Sequence, residues 1–300
     1  MNPLRSLLTD AYVGLTWPLR RVAAACDSRR QAAPVAALFY HRVADTHPTP
    51  WSIDRETFRR QILWIERHFD LVSIEEAQRR IVHGHDRPSV VLTFDDGYRE
   101  NADWALPWLL DRRIPITYYV STGFVGSRVG FPHDVALGLD LPPDDLLTLN
   151  RWKGSTLSFG GHTRTHADLG RVDDPQVLID ELVTATGDLA RLLDEPIVDF
   201  AFPYGQPRHL HPSAFEIARQ AGLRSVASAY GELNRRGDDP FHLRRIHGDP
   251  SLARLRNHLT DDPRHRRRSP FVPETTRLPE GLIVPLVAHA RQTATPIASC

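Results

Sequence analysis

Two adjacent carboxylates, Asp95 and Asp96, follow a short apolar run and precede Gly97 and Tyr98. Side by side they repel each other unless a cation or a difference of role separates them. Neighbours on a strand face opposite sides, so one can ligate a metal while the other accepts a proton. Taken alone, Asp-Asp-Gly reads equally as a turn. A second constellation, His162-Thr163-Arg164-Thr165-His166, sets two imidazoles four residues apart. On a helical turn they would face the same way, the arrangement by which zinc sites present paired histidines. One Asp and two His would fix three corners of such a site and leave a fourth for water. A third piece, Phe200-Ala201-Phe202-Pro203-Tyr204-Gly205, puts a tyrosine between Pro203 and Gly205 on a tight turn, where a backbone N–H can face a reaction centre. Alone, that segment reads as a structural turn.

The elements that must position these groups are short. Val35–Tyr40, Val90–Phe94, Ile116–Val120, Leu157–Phe159, Phe200–Phe202, Ser225–Ala229 and His242–Ile246 are brief runs, each ending at a polar or glycine-containing turn. Such runs read as buried strands of a parallel sheet. Helical patterns lie between them. Phe58, Ile62, Ile65 and Phe69 share one helical face; Ser73 with Glu76 has capping-box spacing; Asp174 before Pro175 starts a helix running to about Leu193. The alternation predicts a (β/α) barrel or a doubly wound sheet, and in a barrel the reactive groups collect where strands end. His41, Asp95, Asp96, His162, His166, Tyr204 and His247 all fall at such ends.

Bulk properties narrow the class. The 300 residues carry 37 basic and 37 acidic side chains, so the formal net charge is zero. That argues against a nucleic-acid binder, which needs a strongly basic face. Cys26 and Cys300 form no C-x-x-C pattern, so a metal would rely on His and carboxylate ligands. Leu4, Leu7, Leu8, Ala11 and Leu15 recur at helical spacing before Pro18, interrupted by Thr9, Asp10 and Gly14. This predicts a short helix packed on the domain, with an interfacial helix at a membrane as the sharper reading. No apolar run reaches signal-peptide or membrane-span length, which makes a cytoplasmic location the default expectation and peripheral membrane association the alternative. The organisation expected is an N-terminal helical extension over 1–33, a barrel over 34–262 and a partly irregular extension over 263–300. Gly123–Arg151, with Pro132, Pro142 and Pro143, reads as a long loop on the strand-end face. The basic run Arg264–Arg268 reads as a solvated tail, His83 and His85 as a surface turn, and His209 and His211 as residues of a plain loop after the Tyr204 turn.

Together, Thr93–Gly97, His162–His166 and Ala201–Tyr204 resemble, in order, the T-F-D-D-G, H-[ST]-x-x-H and R-x-P-Y motifs of the polysaccharide deacetylase family. That family is also called the nodulation-protein-B homology domain, or carbohydrate esterase family 4. The resemblance spans about Ala36–Asp249. It implies a distorted (β/α) barrel of about seven strands with incomplete closure. It also implies a divalent metal, usually zinc, with cobalt or nickel as alternatives, and hydrolysis of N-acetyl groups on an acetylated polysaccharide. On the matching positions, Asp95 is the implied general base, Asp96, His162 and His166 the metal ligands, and the Tyr204 N–H an oxyanion donor. Two departures stand out. Ala201 replaces the family arginine that braces the catalytic Asp, and Arg245 is the candidate substitute. The late L-x-H-D motif has no clean match, which leaves His247 as one candidate acid. His41, within Tyr40-His41-Arg42-Val43, is the other, because this segment resembles the N-terminal Y-H-R-[VI] segment of poly-N-acetylglucosamine deacetylases. An O-acetyl esterase, a small-molecule amidohydrolase and a non-catalytic glycan-binding relic remain alternatives. A 2-His-1-carboxylate iron oxygenase uses the same ligand types but leaves the second carboxylate unexplained.

Overall fold

Seven of the apolar runs become parallel strands: β1 (Val35–Tyr40), β2 (Ser89–Phe94), β3 (Ile116–Val120), β4 (Leu157–Gly161), β5 (Asp199–Ala201), β6 (Ser225–Ser228) and β7 (His242–His247). The computed structural model describes residues 3–127, 130–248 and 251–262, with single positions 264, 273, 276 and 286. All residues of β1, β2 and β3 are buried, the burial of a sheet covered on both faces. Each strand pairs with the next in parallel, and β1 pairs with both β7 and β2, so the sheet closes into a ring. Incomplete closure, expected from the sequence, is thus not found: β1 and β2 share six register pairs from Val35–Ser89 to Tyr40–Phe94. The thinnest seam is β4–β5, with the single register pair Gly161–Phe200.

Helices cover the ring. Helix α1 (Pro3–Arg29) runs through Pro18 rather than stopping before it. Its second half is anchored by Arg20, which donates to the side chain of Asn257 at 2.7 Å and pairs with Asp262 at 3.4 Å. It therefore packs on the domain, while Leu8, Leu15 and Val22 face outward. No helix among the described residues is long and apolar enough to cross a membrane. Helix α2 (Arg55–His68) is capped by the Asp54 carboxylate and buries Phe58, Ile62 and Ile65. Helix α3 (Ile74–His83) begins at Ser73, whose hydroxyl accepts from the Glu76 N–H, and ends at Gly84 with φ 82°. His83 thus closes a helix and is not part of a free turn. Most of 263–300, including most of the run Arg264–Arg268, lies outside the described residues.

Close packing of the ring explains the paired glycines that end β4. A Cβ on Gly160 would fall 2.3 Å from the Tyr119 ring, and one on Gly161 would fall 2.4 Å from the Thr186 hydroxyl. Gly160→Ala should therefore lower stability by about 1–3 kcal/mol through overpacking, read as a reduced urea midpoint with unchanged slope.

Candidate active site

The mouth of the barrel at its C-terminal strand ends holds a cleft of about 380 Å³, lined by His41, Asp95, Asp96, His133, His166 and Tyr204 among others. Three chain segments deliver the central groups. Asp96 follows β2 with φ 74°, Thr163 and His166 follow β4 with φ 62° and 58°, and Tyr204 follows β5 with φ 60°. Left-handed backbone is costly for residues other than glycine, and it persists where surrounding structure enforces it. The His162–His166 segment is consequently a loop and not the helical turn expected from the four-residue spacing. Its brace is Glu181, whose carboxylate accepts from the N–H groups of Arg164 at 2.8 Å and Thr165 at 3.0 Å and from the Thr165 hydroxyl at 2.8 Å.

Despite that difference, the two imidazoles converge. The Nε2 atoms of His162 and His166 lie 3.3 and 3.1 Å from Oδ1 of Asp96. One ligand atom from each of the three residues lies within 4.8 Å of the others, the only such group of His, Cys, Asp and Glu among the described residues. His162 directs Nδ1 at the Ala201 carbonyl, 2.8 Å away. As a donor there, a neutral His162 keeps a bare lone pair on Nε2, which is how a carbonyl behind a histidine prepares it for a metal. Oδ1 of Asp96 is buried without a hydrogen-bond partner. Three converging lone pairs around an unsatisfied carboxylate oxygen fit a small divalent cation. Burial raises the Asp96 carboxyl, but the nearby imidazoles, His166 first, outweigh it and hold it well below its ordinary range.

Asp95 has a different partner. Arg245 on β7 donates from Nη1 to Oδ1 at 2.6 Å and from Nη2 to Oδ2 at 2.9 Å, a two-pronged grip. The same guanidinium donates to the Thr93 hydroxyl at 3.0 Å and the Ser228 carbonyl at 3.1 Å, and lies over the Phe39 and Tyr119 rings. Arg245 therefore does brace Asp95, while Ala201 supplies its carbonyl to His162. Burial pushes the Asp95 carboxyl up; Arg245, with His162 and His41, outweighs it and leaves the group below its ordinary value.

The two histidines considered as acids are neighbours, with ring centroids 6.0 Å apart. His41 lines the cleft, and its Nδ1 is buried without a hydrogen-bond partner. Burial lowers its basicity, with the carboxylates of Asp96 and Asp95 opposing. His247 ends β7 against Phe39. Asn101 sets the His41 backbone, donating to the His41 carbonyl at 2.6 Å and accepting from the Val43 N–H at 3.0 Å. Neither Asn101 nor Glu181 stands out in the sequence. Both sit on single π-helical turns, Asn101–Ala105 and Asp180–Thr184, irregularities that gather at functional sites. His209 lines the cleft, whereas His211 caps the helix Pro212–Gln220 through Nδ1.

Residues 83–226 match the polysaccharide deacetylase family. Solved structures share the fold. IcaB from Ammonifex degensii is 24% identical with a TM-score of 0.62, covering 76% of this chain and 98% of that one. The Streptococcus pyogenes deacetylase PplD, solved with acetate, is 21% identical at 0.62, covering 76% and 98%. A de-N-acetylase from Aggregatibacter actinomycetemcomitans is 17% identical at 0.62, covering 75% and 100%. No curated protein matches the chain.

The Asp95–Arg245 pair carries a prediction with a definite sign. In the native chain the lowered Asp95 pKa stabilises the fold above the unfolded value of about 3.9, and this contribution disappears as pH falls through the folded pKa. Arg245→Met strands a buried carboxylate, so it should cost about 3–5 kcal/mol at neutral pH. The stranded group titrates above its unfolded value, so the gap between variant and native chain should narrow from pH 7 to pH 5 in urea titrations. A gap independent of pH would mean the arginine acts by packing alone.

Proposed function

Residues 83–226 make this chain a member of the polysaccharide deacetylase family, and from that premise we propose a metal-dependent hydrolase that removes N-acetyl groups from an N-acetylglucosamine-containing polysaccharide. The observation that carries the reading is the division of labour between adjacent carboxylates: Asp96 faces two imidazoles and Asp95 faces Arg245. Asp96, His162 and His166 would hold the ion. When bound there, a divalent ion polarises the acetyl carbonyl and makes a nearby water more acidic.

The chain's own residues do the rest. Asp95, kept ionised by Arg245, accepts the proton of the attacking water. The Tyr204 N–H, turned by its left-handed backbone and without an acceptor among the described residues, donates to the oxyanion. Such a donor is worth about 3–4 kcal/mol to the transition state. His41 gives a proton to the departing amine; burial lowers its basicity, and the carboxylates of Asp96 and Asp95 oppose that, so its charged form depends on those two neighbours. The neighbour holding acetate supports release of an acetyl group, and the one named a de-N-acetylase supports release from nitrogen. An O-acetyl esterase would use the same groups with less need for the acid. Arg245 in place of the family arginine favours an enzyme over a glycan-binding relic.

Asp95→Asn should cut deacetylation of an N-acetylglucosamine oligomer by at least about 100-fold while zinc per chain, measured by plasma emission, stays the same. His166→Ala should lose the zinc itself. Unaltered turnover in Asp95→Asn would refute the base assignment.

The acid can be assigned by leaving group. His41→Ala should slow release from the acetamide by about 100-fold or more yet affect para-nitrophenyl acetate little, because a nitrophenolate leaves without a proton. His247→Ala should affect both substrates weakly; the reverse ranking would transfer the role to His247.

A further inference from the structure

The long stretch 123–151 brings one more imidazole to the cleft, outside the ligand trio and the Asp95–Arg245 pair. His133, in the short helix Pro132–Val135, lines the cleft beside Trp51 and His166. Its ring meets Trp51 edge-on at 4.9 Å between centroids and stacks on Phe131 at 5.5 Å, so its orientation is held by aromatic packing. The His166 ring is 5.4 Å away, yet His133 is outside the group whose ligand atoms converge.

The hydrogen bonds around His133 determine which way it presents its protons. Nε2 lies 2.8 Å from the Tyr98 hydroxyl, and that hydroxyl donates to Oδ2 of Asp134 at 2.7 Å. Tyr98 has a single proton to give. That proton is directed at Asp134, which leaves the phenol oxygen to accept from His133. Tyr98 then donates to Asp134, and Nε2–H of His133 donates to Tyr98. A neutral ring that carries its proton on Nε2 has a bare lone pair on Nδ1. The side chain is 25% exposed, and Nδ1 has no hydrogen-bond partner among the described residues.

We propose that His133 is a specificity-determining residue: its Nδ1 accepts a hydrogen bond from an O–H or N–H donor of the acetylated sugar beside the reacting acetyl group. This rests on the deacetylase reading above. It is not a general acid, because its one proton is committed to Tyr98, nor a metal ligand. The short helix that carries His133 therefore acts as a wall that distinguishes an acetylated sugar from a simple acetyl compound.

The test uses the zinc-loaded full chain and three probes: an N-acetylglucosamine oligomer, para-nitroacetanilide, which has an amide N–H and no hydroxyl, and para-nitrophenyl acetate, which has neither. His133→Ala should lower kcat/KM on the oligomer on the order of 10- to 100-fold, with zinc content and aryl acetate turnover unchanged. Parallel loss on the acetanilide would identify the amide N–H as donor, and loss on the oligomer alone would identify a sugar hydroxyl. His133→Asn, which offers an amide oxygen near the position of Nδ1, should recover part of the loss. Tyr98→Phe, which frees the tautomer, should lower oligomer turnover less than His133→Ala does. Equal loss on all three probes, loss of zinc, or undiminished oligomer turnover overturns the proposal. Wild-type protein inactive on the oligomer but active on the aryl acetate would instead overturn the N-deacetylase reading, and this role with it.

Discussion

Two carboxylates joined by one peptide bond and buried together need separate partners, or one takes up a proton and the pair loses its asymmetry. Asp95 and Asp96 meet this demand with partners from opposite parts of the chain. Asp95 takes a guanidinium from β7, 150 residues away in sequence. Asp96 takes two imidazoles from the loop after β4. The demand reaches back into the fold. Arg245 can grip Asp95 only because β1 pairs with both β7 and β2. Closure of the ring places the two strand ends one strand apart, where an arginine can cross the barrel mouth. In an open sheet with β7 and β2 at opposite edges, Asp95 would have no such partner.

The same mouth concentrates backbone strain. Asp96, Thr163, His166 and Tyr204 adopt positive φ, a conformation glycine takes freely and these residues do not. What holds them is hydrogen bonding to rigid neighbours: Glu181 across the His162–His166 loop, and backbone bonds such as Ser121 N–H to the Asp96 carbonyl at 3.3 Å and Thr122 N–H to the Thr163 carbonyl at 3.1 Å. The barrel below, with its buried Val, Leu and Phe, supplies the rigidity that makes such turns persistent. Strain at the mouth and dense packing beneath it are two parts of one arrangement.

How much of this is legible before folding depends on the range of the interaction. Most of the strands read directly from apolar runs ended by turn residues, because burial on both faces imposes that composition locally; β7 is the exception, burying His242, Arg244 and Arg245 beside its apolar residues. Asp95, Asp96, His162 and His166 read from residue type and spacing. The shape of the His162–His166 segment does not, since a four-residue spacing fits a helical turn as well as the observed loop, and only the distant Glu181 decides between them. Arg245 is visible as a candidate because Ala201 leaves a role empty, yet its grip is a contact between remote strands. Asn101 and Glu181 are hidden more deeply. Each acts from a π-turn, a one-residue irregularity that the apolar periodicity of a helix does not reveal, onto a backbone far away in sequence. His133 lies in a proline-rich stretch with no periodic signal at all.

A folded interior ordinarily pairs its buried polar atoms, and Asp199 is typical here, held by Arg224 and by the Ser225 hydroxyl at 2.7 Å. The cleft departs from that rule at its centre, where Asp96 Oδ1 and His41 Nδ1 are buried and lack hydrogen-bond partners. Unpaired buried groups cost stability, each on the order of 1–3 kcal/mol, so a cluster of them is hard to maintain unless something outside the chain completes it. Asp96 Oδ1 between two imidazoles and Nδ1 of His41 are demands that the chain leaves unmet, and they are ones that a divalent ion and the acetylated sugar of the proposed reaction would meet.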